Sequence, residues 1–136
     1  MKSRGSSLVE SLVAMSIFSI GSAATGAWFV RAAADDARAS RLVAADAMAD
    51  SLAARMRSNM PGVADGGYTM SSNAKDCVHS CDAIALAADD MRRFRDGLNE
   101  SVGPAAEGNV SCETAATCVI RITWQGREVL AWPFKV

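Results

Sequence analysis

Proline is missing from the first sixty residues of this chain; the three it has are Pro61, Pro104 and Pro133. Nothing ahead of Pro61 therefore forces a helix to break or kink. Charge is missing over a long stretch as well, because no residue from Ser11 to Val30 is ionisable at neutral pH as a carboxylate, amine or guanidine. Aromatic residues are only 6% of the chain, which leaves no row of rings for stacking bases. A net charge of −1 excludes a global basic field that would draw in nucleic acid. His79 is the single histidine. It lies between Cys77 and Cys81, where a solvated histidine in a small loop is a simpler reading than a Cys–His nucleophile. The chain holds no G-x-S-x-G, no phosphate-cradling glycine loop, no H-E-x-x-H and no dinucleotide fingerprint. Its carboxylates are spread along helical stretches and are not paired in a cleft. No feature argues for catalysis.

The uncharged run from Ser11 to Val30 is long enough to cross a bilayer as a helix at ~1.5 Å per residue. It is only moderately hydrophobic, since Ser, Gly, Ala and Thr are frequent, and small residues let helices approach closely. Lys2 and Arg4 precede it, so the positive-inside rule keeps the N-terminus cytoplasmic and exports the rest of the chain. Glu10 stands at the head of this run, the one charge between Arg4 and Arg31. A carboxylate there must snorkel, protonate or meet a cation. Three arrangements account for it. A signal anchor leaves Glu10 at the interface. A secretory signal peptide is cleaved after Ala32-Ala33-Ala34, which the length of the run and its helical continuation disfavour. A cut before Ser6 creates a new α-amino cation close to Glu10.

From Arg31 to Arg57 the residues Leu42, Ala45, Met48, Ala49, Leu52 and Met56 recur at helical spacing, with Arg and Asp elsewhere. This amphipathic helix is expected to end near Asn59, ahead of Pro61-Gly62. Residues 61–76 read as a polar, glycine-rich loop. Asp82 is a plausible N-cap for a second helix with Ile84, Ala87, Met91, Phe94 and Leu98 on one face. Gly103-Pro104 and Glu107-Gly108-Asn109 read as turns. Cys118–Trp124 alternates, Gln125-Gly126 turns the chain, and Glu128–Phe134 returns as a strand that Pro133 places at an edge. Asn109–Cys112 is a candidate third strand. The fold class is α+β: a long N-terminal helix on a small antiparallel sheet with a second short helix. The cysteines Cys77, Cys81, Cys112 and Cys118 all come after the apolar run. In an exported domain they read as two disulfides, with three possible connectivities, of which the local pairs Cys77–Cys81 and Cys112–Cys118 are preferred. A zinc site is the competing reading, and its spacings are looser than the usual C-x2-C.

The run Arg4-Gly5-Ser6-Ser7-Leu8-Val9-Glu10 resembles the class III signal of type IV pilins and pseudopilins. The resemblance implies that a prepilin peptidase cuts after Gly5 and methylates the new N-terminus at Ser6, and that Glu10 is the glutamate at the fifth mature position. That family usually has Phe or Met where this chain has Ser6. The implied organisation is a leader at 1–5, a membrane and filament-core helix at 6–30, its amphipathic continuation at 31–60 and a globular head at 61–136. In such filaments Glu10 is expected to meet the Ser6 amine, in its own chain or a neighbour's, because buried opposite charges relieve each other.

The helix end Arg55-Met56-Arg57-Ser58-Asn59, with Gly62 and Tyr68 after it, resembles PilV-type minor pilins. Farther on the likeness loosens: Phe94 and Gly103-Pro104 stand where that group has Trp and Leu-Pro-x-Gly. Helix termination explains Arg55, Arg57 and Asn59 as well as subunit contact does. The resemblance implies a non-catalytic assembly subunit without cofactors. Its partners would be other minor pilins, the major pilin, prepilin peptidase and inner-membrane lipid, with no nucleic acid expected. It would reside in the inner membrane and then in a surface pilus. The alternatives are a minor pseudopilin of type II secretion and an inner-membrane-anchored periplasmic binding module.

Overall fold

The computed structural model describes residues 4–69, 81–114 and 117–136. Helix α1 runs Arg4–Ser58, α2 Met60–Ala64 and α3 Ala83–Ser101, followed by strands β1 Ala106–Thr114, β2 Thr117–Trp124 and β3 Arg127–Lys135. The strands form one antiparallel sheet in the order β1-β2-β3. This is a type IV pilin-like α+β fold. The chain divides into two units, 1–38 and 39–136.

In the first unit every residue from Leu8 to Arg38 is exposed. Phe18, Ile20 and Trp28 keep 75%, 72% and 65% of their surface open, so no tertiary core forms around them. The hydroxyls of Ser16, Ser19 and Thr25 donate to the carbonyls of Leu12, Met15 and Gly21 at 2.7–2.8 Å. Each hydroxyl is thereby satisfied inside the helix, which lowers the cost of an apolar surrounding.

The second unit has a contiguous core. The last turns of α1 bury Ala45, Ala49, Leu52 and Met56 of the stripe that periodicity marks out, and Ala53 beside them, while Leu42 stays exposed and Met48 is half-buried. Burying such side chains stabilises at roughly 25 cal/mol per Å² of apolar surface. Helix α3 contributes Ala87, Met91, Phe94 and Leu98, whereas Ile84 at its first turn is exposed. Alternate residues of the sheet complete the core: Ala106 and Val110 of β1, Cys118, Ile120 and Ile122 of β2, and Phe134 of β3.

Two local expectations are corrected. Glu107-Gly108-Asn109 is no turn but the middle of β1. Gly108 belongs there because a Cβ would collide with the Phe94 ring and come within 2.7 Å of Leu98; only glycine lets strand and helix come this close. The stretch after Pro61 is not all loop, since Met60–Ala64 forms a helical turn with Pro61 at its start, where a missing N–H costs nothing. The part of that expected loop beyond Thr69 lies outside the described residues. Between β2 and β3, Gln125 and Gly126 both take positive φ, 52° and 72°, as the tight two-residue turn requires. Asp82 caps α3 as expected, its carboxylate accepting from the Ala85 N–H at 2.7 Å.

Candidate functional site

The candidate site begins in the first turns of α1. Gly5 and Ser6 lie in its helical backbone, and Glu10 is one turn beyond Ser6. At 1.5 Å per residue the two are separated by only ~6 Å along the axis, on nearly the same face. A new amine at Ser6 would stand within reach of the Glu10 carboxylate. Glu10 is exposed and makes no ion pair among the described residues. The helix is, among the described residues, the one long and apolar enough to cross a membrane. At its other end Arg55 and Arg57 occupy the last turn, where cations favour the negative end of the helix dipole.

Residues 1–26 match the family model described as the prokaryotic N-terminal methylation motif. The chain carries a prepilin-type N-terminal methylation motif. Gly5, Ser6 and Glu10 all lie inside the matched stretch. No curated protein and no solved structure matches the chain. The prepilin-type motif supports a type IV pilin-like or pseudopilin subunit, a structural role that implies processing by a prepilin peptidase and assembly with other pilins.

In the head, Cys112 and Cys118 face each other across the β1–β2 register and are joined as a disulfide. Cys81 is also disulfide-bonded, and no described cysteine is a free thiol. Cys77 and His79 lie outside the described residues. Sulfurs held in disulfides are not thiolate ligands, so the zinc reading has no support at Cys81, Cys112 or Cys118.

A polar network that the linear sequence does not reveal ties the head together. Arg55 Nη1 donates to Asp90 Oδ1 at 3.2 Å, and the Tyr68 hydroxyl donates to Asp90 Oδ2 at 2.9 Å. Asn59 Nδ2 donates to the Tyr68 oxygen at 3.2 Å and to the Ala83 carbonyl at 2.8 Å, while its Oδ1 caps α2 by accepting from the Gly62 N–H. Asn59, Tyr68 and Asp90 are all buried. Burial, chiefly, raises the Tyr68 pKa well above the ordinary phenol range; the Asn59 bond opposes this and the Asp90 carboxylate adds to it, so Tyr68 stays a neutral donor. Asp89 next door accepts from Arg92 and, at 2.8 Å, from Arg93. The Arg92 bond is the main cause holding its carboxyl below the usual range, against the opposing effect of burial. Arg57 donates to the Lys135 carbonyl at 3.2 Å and sits 5.7 Å from the Phe134 ring centre. The helix-end run Arg55–Asn59 thus has contacts within its own head that account for its residue types. One clue was legible: Asp90 is a carboxylate beside Met91 and one turn from Phe94, on the buried side of α3. Its cation, Arg55, is 35 residues away and could not be read from local pattern.

Proposed function

We propose that this chain is a minor pilin of the PilV type, made as a precursor and acting in type IV pilus assembly, at priming or in a tip complex, without chemistry of its own. The observation that carries the reading is the methylation motif at the start of a continuous helix whose residues 8–38 bury nothing in their own chain. Such a surface needs lipid or other helices around it. In this reading residues 1–5 are a leader removed by prepilin peptidase, and Ser6 becomes the methylated N-terminus. Residues 6–30 hold the protein in the inner membrane with the N-terminus cytoplasmic, and later enter the filament core. Residues 31–60 continue the helix into a head at 61–136 on the exported side. Partners are the other minor pilins and the major pilin.

Glu10 supplies the register. When the helix leaves lipid for a bundle, its carboxylate and a Ser6 ammonium are each costly alone and mutually relieved together. Removing one partner of such a buried pair costs roughly 3–5 kcal/mol, a penalty incurred on assembly and not on folding of the head. The test is Glu10→Ala in the native host, with protein quantified in inner membrane and in sheared surface filaments. The variant is expected to reach wild-type levels in the membrane and to fall at least tenfold in filaments. A wild-type chain that never enters filaments, or an E10A chain that enters them normally, contradicts the proposal.

A further inference from the structure

Two Asn-x-Ser triplets occur in the chain, Asn99-Glu100-Ser101 and Asn109-Val110-Ser111. This triplet is the acceptor signal for N-glycosylation of exported proteins, and an acidic residue two positions before the asparagine, on the same face of a strand, adds a carboxylate that a cation of the transferase can bind. Only the second has one: Glu107 precedes Asn109, whereas Gly97 precedes Asn99. The structure separates the two further. In α3, Asn99 Nδ2 already donates to the Arg95 carbonyl at 3.1 Å and the Ser101 hydroxyl to the Gly97 carbonyl. In β1, Glu107, Asn109 and Ser111 are all exposed, alternating with buried Ala106, Gly108 and Val110. Residues i, i+2 and i+4 of a strand share one face. The acid, the acceptor amide and the hydroxyl therefore form a single row on the outer side of the sheet. Among the described residues β1 is also an edge strand, paired with β2 alone, which comes after it in the chain, so the row is translocated before this pairing partner.

We infer that Asn109 is an N-glycosylation site, with a lipid-pyrophosphate-linked oligosaccharide as the sugar donor. Glu107 and Ser111 are its recognition elements for a membrane transferase acting on the exported side. In the transfer, Asn109 Nδ2 forms a C–N bond to the anomeric carbon of the first sugar. The anomeric C–O bond to the lipid pyrophosphate breaks, and the pyrophosphate leaves with the electron pair. The amide gives up one proton to a base of the transferase, and nothing is oxidised or reduced. A glycan at Asn109 would stand off the outer face of β1, and so shield an edge that carries neither Lys nor Pro against pairing with another strand.

The inference rests on export of the head, and the test separates the two. Full-chain protein is purified from native cells, and its mass and fragment ions are measured for wild type, Asn109→Gln, Ser111→Ala, Glu107→Gln and Asn99→Gln. The expected result is a sugar-mass increment on Asn109 in wild type and in Asn99→Gln, complete loss in Asn109→Gln and Ser111→Ala, and severalfold lower occupancy in Glu107→Gln. Wild-type protein with formed disulfides and a processed N-terminus but no sugar on Asn109 overturns the inference and leaves the pilin reading intact. Sugar on Asn99 or on hydroxyls alone overturns it equally. Protein with reduced cysteines, an unprocessed N-terminus and no sugar defeats both.

Discussion

One helix crosses both units of this chain, yet its two halves obey different rules. Residues 8–38 expose every side chain, including Phe18, Ile20 and Trp28, and the hydroxyls of Ser16, Ser19 and Thr25 bond to the helix's own backbone. Residues 45–56 bury an apolar stripe against α3 and the sheet, and the helix end is fixed by Arg55 on Asp90. The same secondary structure is thus stabilised by packing in one half and has no packing partner in its own chain in the other, the half that the proposed function gives to lipid or neighbouring helices. Helix propensity is a weak prior, and the surroundings decide what a helical face is for.

The contrast can be broken from the head side. Leu52 is 2% exposed in the core, so Leu52→Ala should destabilise the head by about 2–5 kcal/mol. The change is followed as thermal unfolding of the detergent-solubilised full chain by Trp124 and Trp132 fluorescence in a Trp28→Phe background; the variant should still fractionate with membranes. Gly108→Ala should lose about 1–3 kcal/mol by the same readout, because its new methyl collides with Phe94 and Leu98. Asp89 sharpens the comparison through pH. Its pKa is lowered in the folded head, so its stabilising contribution is fully present above about pH 4 and is lost as pH falls through the lowered native value. Asp89→Asn should melt below wild type at neutral pH and converge with it in acid. On the other side, a Cβ at Gly21 meets nothing within 4 Å, so Gly21→Ala should leave head unfolding unchanged. A shifted melting curve for that variant would show that the two halves are not energetically separate.

Much of the fold was legible because it rests on local signals. The stripe at Ala45, Ala49, Leu52 and Met56, the Asp82 cap, the Gln125-Gly126 turn and the alternation of Ile120, Ile122 and Trp124 each arise from one stretch of chain. Pro133 correctly marked an edge strand. Gly108 misled, because a glycine that reads locally as a turn was selected by Phe94 and Leu98 from another element. The short helix after Asn59 was hidden by Pro61-Gly62, which reads as a stop, although proline also opens helices. The N-terminal motif was legible for the opposite reason: Glu10 violates the pattern of its surroundings. The network through Asn59, Tyr68 and Asp90 was not legible as a unit, since its bonds join residues far apart in sequence.

The most direct test is the N-terminus itself. Intact mass and N-terminal fragment ions would be recorded for the protein from inner membrane and from sheared filaments. The account predicts a chain that begins at Ser6, carries one methyl on its α-amine and is present in both fractions. A chain that begins at Met1, unmethylated and confined to the membrane, would contradict it.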